Sequence, residues 1–94
     1  MKLVWTDTAL YDLKAVREYI AEHEPRAANR VAARLYEVTQ KLKEFPGAGR
    51  AGRVPNTREL VVSGLPFIIP YTVDERCVQI LAVIHTSRKW PEVF

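Results

Sequence analysis

The sequence predicts an α+β domain in the order β-α-α-β-β-β, a helical hairpin packed on one face of a small, mainly antiparallel curved sheet. Three observations lead there. Two stretches with helical apolar spacing are joined across a proline, the pattern then changes to short strand-like runs, and turn sequences separate those runs. Lys2 to Trp5 reads as a first strand. Thr6-Asp7-Thr8 offers N-cap oxygens for a first helix, whose stripe is Ala9, Leu13, Val16 and Ile20. That helix is expected to stop near His23, because Glu24 precedes Pro25 and is pushed out of helical geometry. Pro25 suits the first position of a second helix, where its missing N–H costs nothing. Ala28, Val31, Ala32, Leu35, Val38, Leu42 and Phe45 then recur at three- and four-residue steps, with Arg30, Arg34, Glu37, Lys41 and Lys43 turned outward. Pro46-Gly47 ends the stripe.

Three strands follow: Glu59 to Val62, Phe67 to Val73, and Cys77 to His85. Ser63-Gly64 and Asp74-Glu75-Arg76 separate them, and such short links imply an antiparallel meander. Pro66 and Pro70 are awkward in a central strand, so the ladder is expected to be unpaired or bulged where they face it.

With 94 residues the chain is expected to form one domain spanning 1–94. Its 48% hydrophobic and 27% charged residues are the balance of a globular domain rather than a disordered tail. Cys77 is the one cysteine, so no intrachain disulfide forms and a reducing cytoplasm is the expected home. The longest aliphatic run, Ile80 to Ile84, is too short to span a bilayer, and Thr6-Asp7 interrupts the apolar start that a signal peptide would need.

The formal charge is +3 and the excess is local. Phe45 to Arg58 contains Arg50, Arg53 and Arg58 and no acid. These guanidinium groups form either a phosphate-binding surface or a solvated basic loop. Arg58 opens a strand and is the best fixed; pairing with Glu59 or Asp74 is its alternative role. Gly47 to Gly52 matches GxGxxG literally, but a helix precedes it and a strand follows, the reverse of a dinucleotide fold, so a flexible loop is expected. His85, Arg88 and Lys89 cluster after the last strand, beside Trp90. A histidine among cations suits general acid work on a phosphate leaving group; otherwise His85 ends a strand and packs on Trp90. No paired carboxylates, HxH, CxxC or Ser-His-Asp spacing appears, so neither metal nor cofactor is expected.

Several strings together resemble the RelE/ParE superfamily of type II toxin–antitoxin toxins over nearly the full length. They are Ala9 with Asp12-Leu13 and Tyr19-Ile20, Phe45-Pro46, Thr57-Arg58-Glu59-Leu60-Val61, Gly64-Leu65-Pro66-Phe67-Ile68-Ile69 with Tyr71, and Ile80-Leu81 with Val83, His85, Arg88 and Trp90. The resemblance implies a curved sheet with a helical hairpin, and a cognate antitoxin that wraps it. It offers two targets. RelE-like members cleave mRNA on the ribosome with an arginine in the third strand and further basic residues after the last one. Here those positions resemble Ile68 and Thr86, although Arg88 and Lys89 follow. Arg58-Glu59-Leu60 and His85-Thr86-Ser87-Arg88-Lys89-Trp90 are closer to the ParE branch, whose members poison DNA gyrase.

The first expectation is therefore a ParE-like gyrase inhibitor. Its antitoxin- or target-binding residues are Arg50, Arg53, Arg58, Arg88, Lys89 and Trp90. The alternatives are a ribosome-dependent endoribonuclease using Arg58, His85 and Arg88, and a degenerate member that only binds an antitoxin.

Overall fold

The structure is a computed structural model that describes residues 1–91. The elements are β1 (Lys2–Trp5), α1 (Asp7–Ala21), α2 (Pro25–Gln40), a 3-10 turn (Lys41–Lys43), β2 (Arg50–Ala51), β3 (Arg58–Val61), β4 (Phe67–Val73), β5 (Cys77–Ile80) and β6 (Ile84–His85). The sheet order is β1-β5-β4-β3-β2, with β6 also paired to β4. All ladders are antiparallel except β1 with β5, which run parallel in register Lys2–Cys77 to Trp5–Ile80. The predicted order therefore holds, with one short strand, β2, added and the expected last strand divided into β5 and β6.

The helices start as the sequence dictates. The Thr6 hydroxyl accepts from the Ala9 amide at 3.1 Å, a side-chain N-cap. Pro25 is the first residue of α2. The α2 stripe runs as predicted through Ala28, Leu35 and Leu42, all buried, but not to its end. The helix closes at Gln40, the 3-10 turn carries Leu42 inward, and Phe45 emerges 63% exposed. Phe45 lies beyond the end of the 3-10 turn, so helical spacing no longer decides which face it occupies. Leu35, Leu42, Val62, Phe67, Ile69, Tyr71, Val78, Ile80 and Val83 join Ala9 in one core between hairpin and sheet. Full burial of a leucine such as Leu35 contributes about 1.5–3 kcal/mol. No described helix is long and apolar enough to cross a membrane.

The expected last strand, Cys77 to His85, is broken at residues 81–83. Pro70 explains the break. Its carbonyl accepts from the Leu81 amide at 3.0 Å, so its nitrogen, which carries no proton, faces the same side. The ladder loses a bond there and the partner strand leaves regular pairing before rejoining β4 at Ile84 and His85. The first helix supplies what the ladder cannot. The Thr6 hydroxyl donates to the Leu81 carbonyl at 3.2 Å, and the Asp12 carboxylate accepts from the Val83 amide at 3.0 Å.

Asp12 is thus a clamp across 71 residues of chain. Asp12→Ala is expected to cost about 1–3 kcal/mol by stranding the amide of buried Val83, whereas Asp12→Asn keeps an acceptor and most of the stability. Denaturant titration of the two variants measures the difference. Equal stability of Asp12→Ala and wild type would mean that another acceptor takes up that amide.

Candidate functional site

The loop between α2 and β3 is held from beneath by one side chain. Tyr71 is fully buried, and its hydroxyl donates to the Pro46 carbonyl and accepts from the Gly49 amide, both at 2.8 Å. Burial pushes the Tyr71 hydroxyl above its usual value, against the opposing pull of the Gly49 amide and the Arg58 charge. A Cβ on Gly49 would sit 2.6 Å from that hydroxyl, so the residue must be glycine. The expected flexible GxGxxG loop is in fact packed: Gly49 lies on Tyr71, and a Cβ at Gly52 would collide with Thr57. Only Gly47 of the three faces open space.

Alternation along β3 then divides the charges. Successive strand residues point to opposite faces, so Arg58 and Glu59 cannot pair with each other directly. Arg58 lies opposite Tyr71 and donates through one terminal guanidinium nitrogen to the Gly49 carbonyl at 2.8 Å. Glu59 lies opposite Arg50 and Pro70, on the sheet face away from the hairpin, and is only 2% exposed. Arg50 donates to Glu59 Oε1 at 3.1 and 3.3 Å, and Arg53 donates to Oε2 from its backbone amide at 2.8 Å and from Nε at 3.3 Å. The basic loop is therefore not unneutralised. Its acid lies one residue beyond the stretch that contains none.

Burial pushes the Glu59 carboxyl up, but the Arg53 amide, the Arg50 side chain and the Arg53 charge outweigh it, and the group titrates below its usual value. The same Arg53 guanidinium lies 3.8 Å from the centroid of the Trp90 ring. That contact brings the C-terminal segment onto the loop, a juxtaposition that spacing could not reveal. It also corrects the expected packing of His85 on Trp90: the His85 ring stands edge-on to Phe67 at 5.4 Å. His85 Nδ1 is 2.7 Å from the Ser87 hydroxyl and accepts from the Ser87 amide at 3.1 Å. Arg88 and Lys89 are exposed just beyond.

Arg50, Arg53, Glu59 and Trp90 thus form one cluster, with Arg58 beside it on the opposite face. His85 belongs elsewhere, at the far end of β4. Ile68 is buried at 7% exposure between Val61 and Ile84 and presents no cation. Among the described residues, no group of three or more His, Cys, Asp and Glu is gathered in a way that would hold a metal.

A helical hairpin laid on a mixed sheet, with a basic loop and a cationic tail meeting at one edge, defines a small toxin of the RelE/ParE superfamily. The family described as ParE toxin of type II toxin-antitoxin system, parDE, matches residues 3–90. The chain belongs to that family and is the toxin of a toxin–antitoxin system. It is 44% identical to Y4kP of Sinorhizobium fredii (strain NBRC 101917 / NGR234), over 98% of this chain and 95% of that one. It is 41% identical to Toxin RelE2 of Caulobacter vibrioides, over 93% and 97% of the two chains. A solved structure titled Chromosomal ParDE TA system from P. aeruginosa superposes with a TM-score of 0.85 at 30% identity, covering 93% of this chain and 97% of that chain.

The buried carboxylate has a pH signature. Glu59 titrates lower in the folded protein than in the unfolded chain, so its contribution is fully present above the unfolded value of 4.5. It fades as pH falls from there toward the lower folded value. Thermal melts taken downward from about pH 6 are expected to fall more steeply for wild type than for Glu59→Gln, which has no proton to gain. Parallel curves would show that Glu59 titrates alike in both states.

Proposed function

We propose that this toxin acts by binding and inhibiting DNA gyrase, in the cytoplasm, and that a cognate antitoxin neutralises it. The observation that carries this reading is the separation of the groups that RNA cleavage would need together. Arg58 lies opposite Tyr71 and His85 opposite Phe67, on the two sides of β4. Four residues of extended strand span about 13 Å, and two strand spacings add about 10 Å across. The Arg58 guanidinium is engaged by the Gly49 carbonyl, and His85 Nδ1 is engaged by Ser87. With Ile68 buried, no described residue of β4 supplies the cation that would join them. A binding toxin needs no such convergence.

The ribonuclease reading keeps one support, the RelE name of the Caulobacter relative, and kinetics separate the two. Removing a transition-state donor costs ~10²–10³ in rate, whereas binding energy is spread over a patch with a few anchors. His85→Ala, Arg58→Ala and Arg88→Ala are expected to give graded losses of growth inhibition, none abolishing it. Purified protein added to gyrase with supercoiled DNA is expected to accumulate cleaved DNA, and added to translating ribosomes to leave mRNA intact. Cut mRNA with unaffected gyrase overturns the proposal.

The antitoxin-binding surface follows from the same charges. Arg50 and Arg53 are spent on Glu59, which leaves Arg58 as the loop arginine without an acid partner among the described residues. A second basic surface runs along α2. Arg30 and Arg34, with Ala27 and Val31, line a shallow depression closed on the other side by Ser63, Gly64 and Leu65. Arg34 lies 3.8 Å from Glu37, and both side chains are exposed. Apolar walls with arginines at the rim suit an acidic segment carrying aliphatic side chains. Charge reversal at Arg30 and Arg34 is expected to weaken the antitoxin complex and flatten its salt dependence, with a smaller effect of Arg58→Glu. Unchanged affinity and salt slope in the helix variant would remove α2 from the interface.

A further inference from the structure

Among the described residues, the C-terminal segment after β6 is held both at its turn and at Trp90. At one, the Thr86 amide donates to the Pro66 carbonyl at 2.9 Å and the Arg88 amide to the His85 carbonyl at 3.0 Å, closing a turn on the end of β4. At the other, Trp90 rests on the Arg53 guanidinium. Arg88 and Lys89, both exposed, are the short bridge between these anchors, so their direction depends on where Trp90 sits. Arg53 is itself half exposed, and a side chain so long has many rotamers in water. What fixes it is Glu59, whose Oε2 takes both the Arg53 amide and Nε, while Arg50 occupies Oε1.

We propose that Glu59 is a positioning residue for the C-terminal segment: by fixing the plane of the Arg53 guanidinium it sets the seat of Trp90, and through it the presentation of Arg88 and Lys89 to a macromolecular target. Glu59 is buried and its effect on the tail passes through Arg53. The proposal builds on the reading of the tail as part of the target-binding surface, but the coupling itself belongs to the isolated protein.

The test uses the full chain and reads Trp90 directly. The indole N–H resonance of Trp90, assigned with Trp90→Phe, is expected to shift in Glu59→Gln in the same direction as in Arg53→Gln. Amide exchange over residues 84–90 is expected to accelerate roughly two- to fivefold in both, the loss of a cation–π contact. Arg50→Gln, which loses its own bonds to Glu59 but leaves Arg53 in place, is the control and is expected to leave Trp90 unchanged. Arg53→Lys keeps the charge and the backbone bond but not the planar fork, and is expected to resemble Arg53→Gln, which keeps the test alive if Glu59→Gln does not fold. A Trp90 resonance that moves in Arg53→Gln but not in folded Glu59→Gln, or that is unmoved by Arg53→Lys, overturns the proposal. In the growth assay, Glu59→Gln with Arg53→Gln is expected to be no worse than Arg53→Gln alone; additive losses also overturn it. Coupled Trp90 shifts with unaltered toxicity would uphold the latch while rejecting the tail as a target surface.

Discussion

A carboxylate almost fully withdrawn from water is the constraint around which the functional edge of this protein is arranged. Removing such a charge from solvent costs several kcal/mol, repaid only when both oxygens find good partners. Glu59 achieves this with two arginines and a backbone amide from a single loop. The loop must therefore turn back over β3, and β2 is the visible result: Arg50 and Ala51 pair with Glu59 and Arg58 because the loop is drawn there. Tyr71 closes the near end of the same loop from the opposite face. Two paired strands thus pin the loop, β3 through a charge on one face and β4 through a phenol on the other.

The second organising feature is a missing proton. Pro70 lies in the middle of the most buried strand, where every backbone donor has a use. Its defect falls toward the last strand, which yields by leaving the ladder for three residues, and the first helix fills the gap with Thr6 and Asp12. The outcome is a covalently distant but physically direct link between the start of α1 and the segment that leads to His85 and the tail.

Local pattern exposed most of the fold to sequence reading. The hairpin, the first strand and the Phe67–Val73 strand follow from period, capping and proline position, each a property of neighbouring residues. The two-residue strand β2 was not legible, because no period can be read from two positions. The break that separates β6 from β5 inside the expected Cys77 to His85 strand depends on Pro70 across the ladder. The site was half legible. Arg50, Arg53, Arg58 and Trp90 stood out by type, but their partners depend on which face of β3 each residue occupies. Arg58 and Glu59 are adjacent in sequence and opposite in space, so a stretch that looked uncompensated is compensated by the residue just beyond it. Phe45 misled in the other direction, since an apolar side chain at the right spacing belongs to a stripe only while the helix continues.

The parallel pairing of β1 with β5 has a consequence for how the molecule comes into being. Lys2 through Trp5 are made before the hairpin, yet their ladder partner spans Cys77 to Ile80, far later in the chain. Contacts so remote in sequence form late, because the closure entropy of nearly the whole chain must be met before they contribute. The hairpin can collapse early from local contacts, but β1 has no neighbour in the sheet until Cys77 to Ile80 have been made. Prematurely terminated chains would carry the hairpin and lack both the completed sheet and the tail.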